Sequence, residues 1–548
     1  QDFGSRKARW KQAVSYAWAD IAKEVNLGIM WALRPQQPSR WLRSVAGSYR
    51  FAPKVVAPRR CFAAQAEEKE PEYASGDLSG YSRFHQDTPF TLRSGLQLPE
   101  LTIAYETWGT LNVKRDNAIL LQCGMSASSH AASHPGNRSK GWWEDFIGPG
   151  RALDTNLFFI VCSNNLGGCY GSSGPSSKDP RTGSWYGSRF PRFEVQDQVS
   201  AQFRLLDHLG IDKLHATVGS SLGGMQSVCA AAMFPDRVGK FVTISACAKS
   251  FPGSMAFRHA QRQAVRLDPN WNNGDYYDGQ LPAAGLTLAR EIGTITYRSG
   301  LEWQNRFGQS RTSDETPIDE VHYEFEIERY LVHQGKKWVN NYDPNSMLWI
   351  SKAMDGFSME ARDEKGNLSL AAGLKPAMQP ALVIGVQHDV LFPVWQQKQI
   401  ADTLRAVGNK HVVYYELDCP FGHDTFLLDY HSVGPAIKGH LEQEPGGAKH
   451  LWEETADFTT TVLQAMVSRS SPADALRDIY RSVAAVDQEA DCDLLLRIMK
   501  MALKHRIPET DLETLFKANN MTCRRVSLDE FMQVSKPLQS RLVDASLP

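Results

Sequence analysis

Three side chains of this 548-residue chain have the types and the order that nucleophilic catalysis requires. The run Gly219-Ser220-Ser221-Leu222-Gly223-Gly224 lies between an apolar stretch at 214–218 and a helical stretch that begins near Met225. A serine on a tight strand-to-helix turn projects its hydroxyl out of a sheet, and the helix N-terminus behind it favours developing negative charge. A hydroxyl is a poor nucleophile until a base takes its proton and a carboxylate orients that base. Downstream, the apolar run 381–386 leads into Gln387-His388-Asp389, which puts Asp389 at the carboxyl edge of a strand, where the catalytic groups of parallel sheets collect. A further strand-like run, 412–417, is followed by Phe421-Gly422-His423-Asp424. This order predicts Ser221 as nucleophile, Asp389 as orienting acid and His423 as base; His388 competes as the base but precedes the strand-end acid. An oxyanion needs two backbone N–H donors. Leu222 supplies one, and Met125, in the loop Gln122-Cys123-Gly124-Met125-Ser126, is the candidate for the other.

These groups need a sheet to hold them. Short runs at 101–105, 118–121, 157–162, 214–218, 241–245, 381–386 and 412–417 are mostly β-branched or aromatic, and several are apolar throughout, as strands buried on both faces are. Helical stretches, for example 195–209 and 225–234, alternate with them. The predicted class is α/β: an α/β-hydrolase fold with a mostly parallel sheet, an inserted helical lid and an all-helical C-terminal appendage. The expected boundaries are a basic region at 1–66, a linker at 67–84, core at 85–250, lid at 251–379, core at 380–448 and appendage at 449–548. Within the appendage, 519–530 has the outline of an EF-hand loop. Met521, Cys523 and Arg524 occupy its third, fifth and sixth positions, too few oxygens for calcium.

Composition narrows the function. Hydrophobic residues make up 42% and charged residues 22%, which excludes a wholly disordered chain. Sixty basic residues against 61 acidic ones point to neither nucleic acid nor membrane, and the most apolar window, 13–33, is interrupted by Asp20, Lys23 and Glu24. Nine cysteines without a CxxC pair argue against a disulfide framework and a zinc site, and no P-loop, dinucleotide fingerprint or hexapeptide repeat is present. Residues 1–60 carry twelve Lys/Arg against three acids, and 35–66 hold no acid at all. That pattern predicts a transit peptide, mitochondrial in the first instance, with plastid import or a plain tail on a cytoplasmic protein as alternatives. Met30 would open a more ordinary presequence than Gln1, and Arg60-Cys61-Phe62-Ala63 is similar to a mitochondrial processing site.

Several long motifs extend the reading. Gly141-Trp142-Trp143, Ser163-Asn164-Asn165-Leu166-Gly167-Gly168-Cys169-Tyr170-Gly171-Ser172, Gly174-Pro175-Ser176-Ser177, Gly223-Gly224-Met225-Gln226, Asp343-Pro344-Asn345-Ser346 and Gly422-His423-Asp424 resemble the homoserine O-acetyltransferase family over roughly residues 85–440. The resemblance implies a ping-pong acyltransferase that dimerises through its lid, uses acyl-CoA as cosubstrate and binds no organic cofactor or metal. It implies that Arg262, in Phe257-Arg258-His259-Ala260-Gln261-Arg262, holds the carboxylate of the acceptor amino acid, and that Asp424 meets its ammonium. Cys123-Gly124-Met125-Ser126-Ala127-Ser128-Ser129-His130, Ser245-Ala246-Cys247-Ala248, and Tyr297-Arg298-Ser299 with Glu302-Trp303 are more similar to the branch that acylates L-serine in cysteine synthesis than to the homoserine enzymes of methionine synthesis. Acetyl and succinyl donors stay open, as does homoserine as acceptor. An esterase or thioesterase with the same three groups is the more distant alternative.

Overall fold

Eight strands form one sheet: β1 (Ser82–Gln86), β2 (Leu101–Trp108), β3 (Ala118–Gln122), β4 (Phe159–Ser163), β5 (Leu214–Ser220), β6 (Val238–Ile244), β7 (Ala381–Val386) and β8 (Val412–Leu417). The structure is a computed structural model that describes residues 80–312, 324–442 and parts of 476–538. The spatial order is β1-β2-β4-β3-β5-β6-β7-β8. From β4 to β8 every pairing is parallel, while β1/β2 and β2/β4 are antiparallel. Edge strand β1 escapes sequence reading because only Phe84 of its five residues is buried, so it shows no apolar run.

Strand periodicity builds two cores. Successive side chains point to opposite faces, and in β3 Ala118 and Leu120 enter one cluster while Ile119 and Leu121 enter the other. Likewise β7 sends Ala381 and Val383 one way and Leu382, Ile384 and Val386 the other. Helices α1 (Val195–His208) and α2 (Leu222–Met233) cover the first face through Val199 and Val228. Val433 and Ile437, from the helix Tyr430–Glu442, cover the second. A strand covered on both sides is apolar throughout, which is why β3 and β7 stand out in sequence.

Strands β2, β3 and β5 run one to three residues past their expected ends, to Trp108, Gln122 and Ser220, and three further boundaries differ for tertiary reasons. Helix α2 begins at Leu222, not near Met225, because Gly223 and Gly224 are contact points inside it rather than breakers. The strand expected at 157–162 is Phe159–Ser163, since Leu157 belongs to a turn and is half exposed. Strand β6 starts at Val238, three residues early, because it pairs with β5 from Leu214 onward.

Between β6 and β7 the chain forms helices α3 (Pro252–Leu267), α4 (Ala283–Tyr297), α5 (Gly300–Arg306), α6 (Glu326–Val339) and α7 (Pro344–Asp355), followed by a small hairpin, Ala361–Arg362 with Leu368–Ser369. The motif Asp343-Pro344-Asn345-Ser346 starts α7. Asp343 caps it by accepting from Ser346 N at 2.7 Å, and Pro344 occupies the first helical position. Asp343 also accepts from the hydroxyls of Tyr276 at 2.5 Å and Tyr277 at 3.2 Å, which ties α7 to the chain after α3.

In the C-terminal part, Ala490–Asp491 pairs antiparallel with Arg525–Val526. The helices Cys492–Leu503, Glu509–Ala518 and Leu528–Val534 bury Leu495, Met499, Phe516, Met521 and Phe531 in a core of their own. Ser527 caps the last helix, accepting from Glu530 N at 3.3 Å. The side chain of Met521, at the third position of the EF-hand outline, lies in this core. The basic N-terminal region and most of the acidic linker lie outside the described residues. Among the described residues, no helix is long and apolar enough to cross a membrane.

Candidate active site

Ser221 stands between β5 and α2 with φ +56° and ψ −124°, a conformation that a non-glycine residue holds only where the surroundings impose it. The surroundings are backbone. Ser221 N donates to Ile244 O at 2.9 Å, and Met225 N donates to Ser221 O at 3.1 Å. A Cβ on Gly219 would lie 2.1 Å from Gly223 O, and one on Gly223 would lie 2.2 Å from Gln122 O. Both glycines of the motif are therefore required by close approach.

The structure brings Ser221, Asp389 and His423 together. His423 Nδ1 lies 2.6 Å from Asp389 Oδ2, and Nε2 lies 2.9 Å from Ser221 Oγ. An ionised carboxylate only accepts, so Nδ1 carries the proton and Nε2 is left as acceptor for the serine hydroxyl. Asp389 is aimed by Phe392 N, which donates to Oδ1 at 2.7 Å. The Phe392 ring stacks on the imidazole at 5.1 Å and Phe426 meets it edge-on at 5.4 Å. All three groups are buried. His388, the competing base, bonds Asp418 at 3.1 Å on a partly exposed loop.

Leu222 is the first residue of α2, so its N–H is one of those that the helix leaves without an internal partner. The loop after β3 is held at two carbonyls: Asn165 Nδ2 donates to Gly124 O at 3.1 Å and Tyr342 OH to Met125 O at 2.7 Å. The Gly124–Met125 peptide is trans, so fixing its carbonyl toward Asn165 turns Met125 N–H the opposite way. Asn165 is itself fixed by Gln226 of α2 at 2.8 Å, and the same Gln226 amide reaches Gln198 of α1 at 3.0 Å. Sequence reading did not single out Asn165, Gln198 and Gln226 as site residues; buried amides in otherwise apolar neighbourhoods were the available signal.

Arg262 and Asp424 sit in two ion networks. Arg262, buried on α3, donates to Asp355 Oδ2 at 2.6 Å and to Ser351 Oγ at 3.1 Å, while Arg258 holds the other Asp355 oxygen at 2.7 Å. Asp424, fully buried directly after His423, lies 3.5 Å from Arg298 Nη2. Arg298 also pairs with Glu302. Burial, opposed by Arg298 and aided by Asp424, pushes the Glu302 carboxyl up to about 7. Gly422 (φ +62°) lets the backbone at Tyr297–Ser299 close on the histidine turn: a Cβ there would lie 2.8 Å from Ser299 N. Arg298 and Glu302 belong to the branch-like pattern read from sequence, but nothing local showed that Arg298 would meet Asp424 next to the histidine.

One cluster next to the oxyanion loop has the residue types of a metal site. Glu106 of β2 lies 2.7 Å from both His130 Nδ1 and His134 Nε2 and accepts from Ser129 Oγ at 2.8 Å. Each ring nitrogen has a hydrogen-bond role. His130 Nε2 faces Ser139 O at 2.9 Å, so this imidazole meets an acceptor at both nitrogens and is held as imidazolium. His134 Nδ1 accepts from Gly136 N at 3.1 Å and so donates through Nε2. Burial opposes the His130 charge, but the bonds to Glu106 and Ser139 outweigh it and raise its pKa above 6.5. Burial likewise opposes the Glu106 charge, and the bonds from His130, Ser129 and His134 outweigh it and lower its pKa below 4.5. The donor set fits an ion pair of Glu106 with His130, joined by the hydrogen bond from His134, which knits the Ser129–His134 segment to β2. Elsewhere Cys123, Cys162, Cys169, Cys229, Cys247 and Cys419 are free thiols.

Comparison with known proteins accords with this geometry. A family profile described as alpha/beta hydrolase fold matches residues 117–430. A serine O-succinyltransferase of Emericella nidulans is 48% identical over 432 residues, covering 68% of this chain and 83% of that one. Among solved structures, a homoserine O-acetyltransferase from Bacillus anthracis superposes with a TM-score of 0.61 at 27% identity, covering 68% of this chain and 99% of that one. The esterase E22 superposes with a TM-score of 0.60 at 27% identity, covering 66% and 100%.

The Glu106–His130 pair carries a pH signature. A raised imidazole pKa adds stability that is complete below 6.5 and is lost as pH rises through the raised value. A lowered carboxyl pKa adds stability that is complete above 4.5 and is lost as pH falls through the lowered value. Glu106→Gln should therefore depress Tm most near about pH 5.5 and progressively less toward about pH 9. Thermal melts across that range check this, and a uniform loss would assign the effect to packing alone.

Proposed function

We propose that this chain, which belongs to the homoserine O-acetyltransferase family of alpha/beta-hydrolase-fold enzymes on its serine O-succinyltransferase branch, transfers a succinyl group from succinyl-CoA to the hydroxyl of L-serine. The observation that carries the chemistry is the buried relay Asp389–His423–Ser221 behind a strained elbow. Kinship with serine O-succinyltransferases supports the acceptor and the donor. A succinyl group brings a second carboxylate, and Arg298 provides a buried cation at the histidine's own turn.

In the first half-reaction Ser221 Oγ attacks the thioester carbonyl as His423 Nε2 takes its proton, and Asp389 stabilises the imidazolium. The N–H groups of Leu222 and Met125 hold the oxyanion; the C–S bond then breaks, and His423 returns the proton to the departing CoA thiolate. In the second half, His423 removes the proton of the acceptor hydroxyl, which attacks the acyl carbonyl; the Ser221 Oγ–acyl bond then breaks, His423 returns the proton to Ser221 Oγ, and the ester leaves. Arg262 takes the acceptor carboxylate, exchanging part of its fork from Asp355, and Asp424 takes the ammonium. Water competes for the acyl-enzyme, so burial of the site and orientation of the acceptor decide transfer over hydrolysis. The product places the enzyme in cysteine synthesis. The proposal extends to a homodimer formed through the lid and to mitochondrial import directed by residues 1–66. A reporter fused to those residues should enter mitochondria; cytosolic retention would remove the import element.

Thiol release from succinyl-CoA should depend on L-serine and fall at least about a thousandfold in Ser221→Ala. Dependence on L-homoserine would move the chain to methionine synthesis, preference for acetyl-CoA would change the donor, and release without an acceptor would make it a hydrolase like the E22 relative. Arg262→Lys should raise the serine KM by about tenfold or more while the pre-steady-state burst of acyl-enzyme stays intact, because an ammonium lacks the bidentate fork. Unchanged serine saturation would remove Arg262 from the acceptor site.

A further inference from the structure

A cavity of about 410 Å³ lies apart from the triad, lined by Arg83, Glu100, Ser173, Ser176, Ser177 and Lys178 among others. Its chemistry is that of an anion site. Among the described residues neither cation has a carboxylate partner: Arg83 Nη2 bonds the Tyr81 hydroxyl at 2.7 Å, and the Lys178 ammonium lies over the Trp185 ring, 5.3 Å from its centroid. Ser173 Oγ accepts from Thr102 N at 2.9 Å, which orients its hydroxyl while leaving the proton to give, whereas Ser177 Oγ accepts from Gly174 N at 3.0 Å and donates to Ser172 O at 3.5 Å.

The cavity is on the catalytic side of the sheet. Because β2 runs antiparallel to β4 with Tyr105 opposite Ser163, Thr102 and Glu100 extend past the carboxyl end of β4, the same edge at which β5 presents Ser221. In the order β1-β2-β4-β3-β5 the cavity is three to four strand positions from the elbow, about 14–19 Å at about 4.8 Å per strand. An extended pantetheine arm spans a gap of this scale between a thioester and the phosphates beyond it.

We propose that this cavity binds the phosphate end of the acyl-CoA donor while the pantetheine arm crosses the sheet edge to Ser221. The inference rests on acyl-CoA being the donor. Phosphate oxygens would meet Arg83, Lys178 and the loop serines, and Glu100 opposes them, which keeps the site weak enough to release CoA.

The test measures binding and turnover in parallel on the full-length protein. The double variant Arg83→Gln/Lys178→Gln should bind CoA at least about tenfold more weakly and show a raised succinyl-CoA KM, with kcat and serine KM retained. Affinity for pantetheine and the KM for succinyl-pantetheine, which lack the phosphates, should not move. Glu100→Gln should shift CoA affinity in the opposite direction. Equal affinity of the unaltered protein for CoA and pantetheine, or equal losses for both ligands in the double variant, overturns the phosphate site and leaves the acyltransferase reading standing. A protein that turns over succinyl-pantetheine and serine but shows no preference for succinyl-CoA has the same meaning. Failure to turn over any acyl thioester overturns both.

Discussion

The contact on which the site depends is the approach of two backbones at the elbow, where Gly223 meets the carbonyl of Gln122 with no room for a methyl group. That contact closes α2 onto the end of β3. It brings the first N–H of α2 and the loop carrying Met125 to the same side of Ser221, and it forces the serine into φ +56°. The strain is held by backbone partners on both sides: β6 supplies Ile244 O, and the first turn of α2 supplies Met225 N. The Asn165–Gln226–Gln198 chain then links that loop to α1 and α2, so the loop after β3 and the start of α2 are kept in register by one buried polar network.

Charge is distributed around this rigid centre in three buried groups. Glu106 with His130 and His134 anchors the segment after the oxyanion loop; Arg258 and Arg262 share Asp355 in the lid; Arg298 bridges Glu302 and Asp424 beside the base. Ions placed so deeply cost more in desolvation than they return as simple ion pairs. Removing one partner would leave the other charge buried and unpaired, so each group fixes the position of the segments it joins. The Arg298 group is the clearest instance, with two carboxyls near one guanidinium and one of those carboxyls pushed up to about 7. Such a group can exchange a proton or a partner when a charged substrate enters, which a satisfied pair on the surface has no reason to do.

Close similarity in fold to both a transferase and an esterase shows what the scaffold leaves undecided. The relay activates a serine toward any acyl donor. The buried cations and carboxylates of the lid and the histidine turn are what this chain adds to that scaffold: Arg258 and Arg262 from α3, Arg298 between α4 and α5, Glu302 from α5, Asp355 from α7 and Asp424 from the turn after β8.

Residue pattern by itself determined the strands covered on both faces, the serine turn between strand and helix, and the chain order of nucleophile, acid and base. These follow from local rules: a two-residue alternation, glycines at a tight turn, a polar loop at a strand's end. Edge strand β1, the start of α2 inside a glycine pair, and the role of Asp355 as partner to Arg262 were decided only by tertiary structure. Each depends on a group distant in sequence: β1 on pairing with β2, Gly223 on Gln122, Arg262 on a carboxylate 93 residues away. The same holds for the cluster at Glu106, whose histidines lie 24 and 28 residues downstream in a loop without regular spacing. Periodicity reports which face a residue takes, but which charge it meets there is set by packing between elements.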